Sequence, residues 1–295
     1  MERYVEAADG ARLWVEAFGR ACDPAVLLVM GGGAQGIVWP DELCVLLATA
    51  GHYVVRYDHR DTGLSARSAV GYGMPELAAD AAAVITGLGL AGAHVVGQSM
   101  GGMVAQLLAL DHPGLVRSLT LLSSSPDANG DACRPPVSGL PGPRAPMLDH
   151  VARLRAVPPS TAEEECAAAV DGWRVLLGPS VPFDRAYWEG LVARARERDT
   201  RPDTAGRHTA ALDRMPPLTE RIRSLDVLAL VVHGEEDPVF PLEHGTALHR
   251  ALPHSRLRRI AGMGHLFPPH WSPILGELIT DHVLRVRPGN AGGSQ

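Results

Sequence analysis

His94-Val95-Val96-Gly97-Gln98-Ser99-Met100-Gly101-Gly102-Met103 places one hydroxyl between small residues at the end of an apolar run. In a chain with 32 glycines the pattern Gly97-x-Ser99-x-Gly101 arises readily by chance, so its setting has to decide what it means. AHVVG (93–97) reads as a short buried strand, and Met100 to Leu110 reads as an apolar helix. A turn sharp enough to join them leaves no room for side chains beside the serine, which accounts for both glycines. The serine itself is then forced into a strained backbone with its hydroxyl raised above the sheet. On this reading Ser99 is a candidate nucleophile. The plainer alternative is a glycine-rich site of strand–helix packing.

The same alternation extends in both directions. Arg3–Ala8 and Ala11–Phe18 alternate like a hairpin joined through Asp9-Gly10. AVLLVM (25–30), HYVVRYD (52–58) and RSLTLLSSS (117–125) read as strands, with helices over about 40–50 and 74–89. Strands alternating with helices predict an α/β protein with a mostly parallel sheet and right-handed crossovers. After Ser125 the pattern changes. A Pro- and Gly-rich stretch leads into helical segments at about 146–156, 161–177, 184–199 and 204–214, with Ser160 and Glu163 as a capping box for the second. Strands resume at DVLALVVHG (226–234) and 256–260, with helices over about 241–252 and 272–285. The expected organisation is a core domain over 1–125 and 225–286, a helical cap over 126–224 inserted after the sixth strand, and a disordered tail over 287–295.

Composition narrows the partners. The net charge is −6 without a basic block, which argues against nucleic acid. Every basic side chain other than histidine is arginine, consistent with a GC-rich coding bias. Residues 81–110 carry no Asp, Glu, Lys or Arg, but six glycines with His94, Gln98 and Ser99 break the run, so no membrane span is expected. Cys22, Cys44, Cys133 and Cys166 form no metal or redox spacing, and the N-terminal residues show no secretory pattern. Free thiols and a cytoplasmic location are the expectation. The oligomeric state is not legible.

A serine hydroxyl needs a base to take its proton. In this kind of sheet the acid and base follow the serine in the chain, in loops after strands. After 226–234 comes Glu235-Glu236-Asp237-Pro238, and after 256–260 comes Gly262-Met263-Gly264-His265. His265 is the predicted base and Asp237 its partner, with Glu236 a near rival and Asp127 a distant one. The developing oxyanion needs two fixed donors. These are assigned to the amides of Met100 and of Gly32 in the glycine loop after 25–30, with Gly33 as fallback. Asp58 to Gly63 reads as a turn held by salt bridges rather than as chemistry.

Together these residues resemble the α/β-hydrolase fold. LLVMGG (27–32), WPDE (39–42), RYDHRDTG (56–63), ELAADA (76–81), AHVVG-x-SMG (93–101), ALDH (109–112), GLPGP (139–143) and GMGH (262–265) are similar to the aclacinomycin methylesterase family of anthracycline biosynthesis. The resemblance implies hydrolysis of a carboxylic methyl ester on a tetracyclic aromatic polyketide, releasing methanol and a free acid open to later loss of carbon dioxide. It implies Ser99 as nucleophile, His265 as base, Asp237 as acid, Gly32 and Met100 as oxyanion donors, and no cofactor or metal. Gln98 departs from it, standing where an apolar residue is expected. Outside GLPGP and 173–184 the cap is less alike.

In the cap, Met147, Trp173, Phe183, Tyr187 and Trp188, with Phe267 beside His265, are candidate pocket lining for flat apolar rings; Gly33 joins them as a close backbone approach. The competing reading is that these side chains are simply core. Two further functions fit the same features: a C–C hydrolase, lactonase or perhydrolase-like activity on the same fold, or a non-catalytic binding protein.

Overall fold

The computed structural model describes residues 1–127, 139–199 and 205–286. Its architecture follows from strands whose alternate side chains enter two different cores. In β3 (Ala25–Val29), Ala25, Leu27 and Val29 point into one hydrophobic cluster, while Val26 and Leu28 point into another. Side chains buried on both faces are what a parallel strand covered by helices requires. Fully burying a Leu or Val is worth about 1.5–3 kcal/mol, so a five-residue strand of this kind is a large stabilising element.

The chain opens with β1 (Glu2–Glu6) and β2 (Arg12–Phe18), followed after β3 by α1 (Asp41–Thr49), β4 (Tyr53–Tyr57), α2 (Met74–Gly87), β5 (Ala93–Gln98), α3 (Met100–Asp111) and β6 (Val116–Leu122). Among the described residues five helices then come without an intervening strand: α4 (Ala145–Ala156), α5 (Ala162–Leu177), α6 (Arg185–Arg198), α7 (Ala205–Asp213) and α8 (Thr219–Ile222). β7 (Ala229–Gly234), α9 (Leu242–Ala251), β8 (Ser255–Ile260) and α10 (Ser272–Leu284) complete it. The eight strands pair in the order β1-β2-β4-β3-β5-β6-β7-β8, with β1 and β8 at the edges. β2 is antiparallel to both its neighbours and the rest of the sheet is parallel. Side chains of α2, α3 and α9 fill one core; those of α1, α10, α5 and α6 fill the other.

The inserted helices leave and return at neighbouring points, since the Leu218 amide donates to the Pro126 carbonyl at 2.7 Å. Several predicted bounds and one capping pair shift in the structure. β6 ends at Leu122 rather than at 125, because Ser123 takes φ +43° and turns the chain out of the sheet. β7 begins at Ala229 rather than 226. The capping box of α5 is Thr161 with Glu164, one residue later than expected: Thr161 Oγ accepts from the Glu164 amide, and Glu164 also accepts from Ser160. The charge-free run resolves into the second half of α2, β5, a turn and nearly all of α3; among the described residues no helix is long and apolar enough to cross a membrane. Cys22, Cys44 and Cys166 are free. Cys133 and the tail 287–295 lie outside the described residues.

Candidate active site

Ser99 occupies the junction of β5 and α3 at φ +53°, ψ −122°, a region that non-glycine residues avoid. The crowding around it explains the flanking glycines. A Cβ on Gly97 would collide with the Gly101 carbonyl, and one on Gly101 with the Val29 carbonyl. Gln98 and Met100 on either side are buried at 1% exposure, yet Ser99 stays half-buried, so the turn presents its hydroxyl while hiding its neighbours.

The loops after β7 and β8 bring an acid and an imidazole to that hydroxyl. His265 Nε2 lies 2.9 Å from Ser99 Oγ, and His265 Nδ1 lies 3.0 and 2.9 Å from the two carboxylate oxygens of Asp237. An ionised carboxylate only accepts, so Nδ1 carries the proton and Nε2 is free to accept from the serine. Asp237 is completely buried, which alone would push its carboxyl up. The facing His265, the nearby His233 and the Phe240 amide outweigh burial and hold it below the usual carboxylate range. The Val239 amide also donates to it. Glu236, the sequence rival, faces elsewhere: its carboxylate takes the amide and hydroxyl of Ser180. Asp127 sits beside Ser125 and His244 instead.

Gln98 is explained by the same loop. Its side-chain amide donates to the His265 carbonyl at 3.0 Å, so the residue preceding Ser99 ties the β5 turn to the histidine loop across 167 positions. From the other side the His265 amide donates to the Leu176 carbonyl at 2.7 Å, at the end of α5. Phe240 stands edge-on to His265 at 5.6 Å, and the His233 ring donates to the Phe240 carbonyl at 2.7 Å. The sequence did not single out Phe240, His233 or Leu176. Asp-Pro before Phe240 was the available signal, since an aspartate ahead of a proline commonly accepts from amides just downstream.

Gly32 faces Met100: a Cβ placed on Gly32 would lie 3.3 Å from Met100 Sδ. Among the described residues neither the Gly32 nor the Met100 amide donates to a protein acceptor. Gly33 differs, because its amide donates to His208 Nδ1 at 2.9 Å. That removes Gly33 as a fallback oxyanion donor. Asp58 to Gly63 forms the expected turn. Asp58 accepts from the Gly36 and Leu64 amides and from Arg198, and Arg60 makes a two-point ion pair with Asp80.

The predicted cap aromatics come together on one another. Trp188, 2% exposed, stacks with Trp173 at 5.1 Å and with Phe183 at 6.5 Å, and Tyr187 meets it edge-on at 5.0 Å. Phe267 packs against Trp39 at 5.2 Å, and Met147 on α4 is half-buried.

A serine raised on a strand–helix turn, with an imidazole and a carboxylate from the next two strand ends, is the arrangement of the α/β hydrolases. The model for the alpha/beta hydrolase fold matches residues 24–269, and the chain belongs to that family. It is 37% identical to rhodomycin D methylesterase DnrP of Streptomyces peucetius, over 88% of this chain and 91% of that protein. It is 36% identical, with the same coverage, to rhodomycin D methylesterase DauP of Streptomyces sp. (strain C5). Among solved structures, the esterase RhEst1 of Rhodococcus sp. ECU1013 superposes with a TM-score of 0.79 at 23% identity, covering 97% of this chain and 99% of that one.

Proposed function

We propose that the chain is a serine esterase that hydrolyses a carboxylic methyl ester on an anthracycline-type aromatic polyketide. The observation that carries the chemistry is the pair of short contacts on His265, 2.9 Å to Ser99 Oγ and 2.9 Å to Asp237. The kinship to two rhodomycin D methylesterases supports the substrate class.

Ser99 Oγ attacks the ester carbonyl carbon while its proton passes to His265 Nε2. The carbonyl oxygen becomes an oxyanion facing the Gly32 and Met100 amides, which donate to no other protein acceptor among the described residues. Collapse of this intermediate breaks the bond to methoxide, which leaves as methanol with the proton from His265. Water then attacks the acyl-serine, giving its proton to His265, and the second collapse releases the carboxylic acid and restores Ser99. Asp237 holds the imidazole in the required tautomer and stabilises its charged form. The inserted helices α4–α8 act as a cap over the pocket, with the half-buried Met147, Trp173, Phe183 and Tyr187 offering apolar surface for the ring system and the buried Trp188 and Phe267 packed behind as core.

The test is mass spectrometry of a methyl-ester anthracycline incubated with the wild type and with Ser99→Ala. Conversion of the methyl ester to the acid by the wild type alone is the expected result, and further loss of carbon dioxide would extend the activity. Intact substrate beside rapid cleavage of a nitrophenyl ester would keep the serine chemistry and remove the polyketide. No turnover of either would overturn the enzyme reading.

A further inference from the structure

The glycine loop after β3 is the least constrained part of the site by composition, since three successive glycines carry no side chain to anchor them. Two histidines anchor it instead. His59 Nε2 donates to the Met30 carbonyl at 2.9 Å, at the start of the loop. At its end the Gly33 amide donates to His208 Nδ1 at 2.9 Å, and His208 Nε2 donates to the Arg60 carbonyl at 3.1 Å. The two rings meet edge-on at 5.6 Å, and both are almost wholly buried. These bonds set one tautomer of His208: Nε2 carries the proton and Nδ1 keeps its lone pair. Burial, opposed by the Arg60 carbonyl and Asp61, holds the ring in its neutral form.

His208 belongs to α7, within the inserted helices, and lies 175 residues from the glycine it holds. With Gly33 engaged by His208, the Gly32 amide, adjacent to Met100, has no protein acceptor among the described residues.

We propose that His208 is a positioning residue for the oxyanion site: it fixes the Met30–Gly33 loop against His59 so that the Gly32 amide is aimed at the developing charge. The inference rests on the serine-esterase reading. It makes the cap a working part of the catalytic apparatus as well as a wall of the pocket.

His208→Leu removes both bonds. His208→Asn keeps an acceptor near the Nδ1 position, whereas His208→Gln places its amide too far out to meet Gly33. With a nitrophenyl ester, the leucine variant is expected to lose about 10- to 100-fold in kcat, as for a misplaced or missing oxyanion donor. KM should stay within about twofold, since the lost interaction forms only in the transition state. Binding of a trifluoromethyl ketone, which forms a tetrahedral adduct with the serine, should weaken with kcat, while binding of the corresponding alcohol should not. Asn should recover most of the rate and Gln should not. A leucine variant with wild-type kcat, or parallel loss of ketone and alcohol binding, would overturn the inference. If the leucine variant does not fold, equal rates for Asn and Gln would overturn it. Ser99→Ala, run beside them, separates the two ideas: residual full activity there defeats the serine reading itself, whereas a silent His208 with a dead Ser99→Ala defeats only the loop assignment.

Discussion

Ser99 holds a backbone conformation that costs a non-glycine residue on the order of 1–3 kcal/mol. The cost is borne because the turn aims the hydroxyl at His265. Ser99→Gly is therefore expected to abolish esterase activity and raise the melting temperature, a pairing that thermal denaturation beside an activity assay would reveal. Gln98 makes the complementary case. Replacing it by Leu removes the donor to the buried His265 carbonyl, and an unmet buried polar group costs about 1–3 kcal/mol. A lower melting temperature and a reduced kcat are expected from Gln98→Leu. Ser99 was legible because the elbow is a local matter of glycine spacing between a strand and a helix. His265 and Asp237 were legible because each follows a strand end. The purpose of Gln98 was not, because its partner sits 167 residues away and nothing near position 98 names it.

Elements were read from periodicity, and periodicity located the four longer inserted helices, with Thr161 capping α5 and Asp184 capping α6. Finer choices failed where neighbours were chemically alike. Ser160 and Thr161 can each cap a helix, and Glu163, Glu164 and Glu165 can each answer; the backbone selected Thr161 with Glu164. Thr161→Ala should destabilise by about 1 kcal/mol, measured by urea unfolding, with kcat unchanged because the cap faces solvent. The overlong reading of β6 has a similar origin. SSS continues an apolar strand without any sequence signal that Ser123 will adopt φ +43°, which depends on Ser124 reaching back to the Ser99 carbonyl and Ser125 to Asp127.

Across the whole molecule, buried histidines govern the response to acid. Burial pushes His59 down to about 3 and His94 and His282 down to about 4. An unfolded chain binds these protons near pH 6.5 while the folded one refuses them. The stability they confer is thus complete above 6.5 and falls as pH drops toward 4. Each histidine adds about 1.4 kcal/mol per pH unit to that slope within its window. Asp237, held below 3.8, adds a second loss only at lower pH, as it is protonated. Urea midpoints recorded from pH 7 to 4 should decline steadily; a flat profile to pH 5 would contradict this. Of these burials only that of His94, inside the predicted buried strand 93–97, was visible in the sequence; nothing near His59 or His282 announced theirs. The same holds for the grip of the inserted helices on the core. Arg144 meets the loop of Asp237, Leu176 meets His265, and His208 meets Gly33. Such pairings need the folded geometry, because local pattern reports which elements form and not which of them touch.

The outermost strand β8 runs Ser255-Arg256-Leu257-Arg258-Arg259-Ile260, with Arg258 and Arg259 exposed. An open sheet edge offers unpaired backbone groups to any passing strand, and bulky like charges make such addition unfavourable. The mutual repulsion is already felt within the molecule, where burial and the nearby Arg285 and Arg258 lower the Arg256 guanidinium. Exchanging Arg258 and Arg259 for valine would leave the fold and the hydrolytic centre alone but remove this guard. Light scattering should then show colloidal self-association growing with protein concentration, suppressed again when arginine is restored at either site.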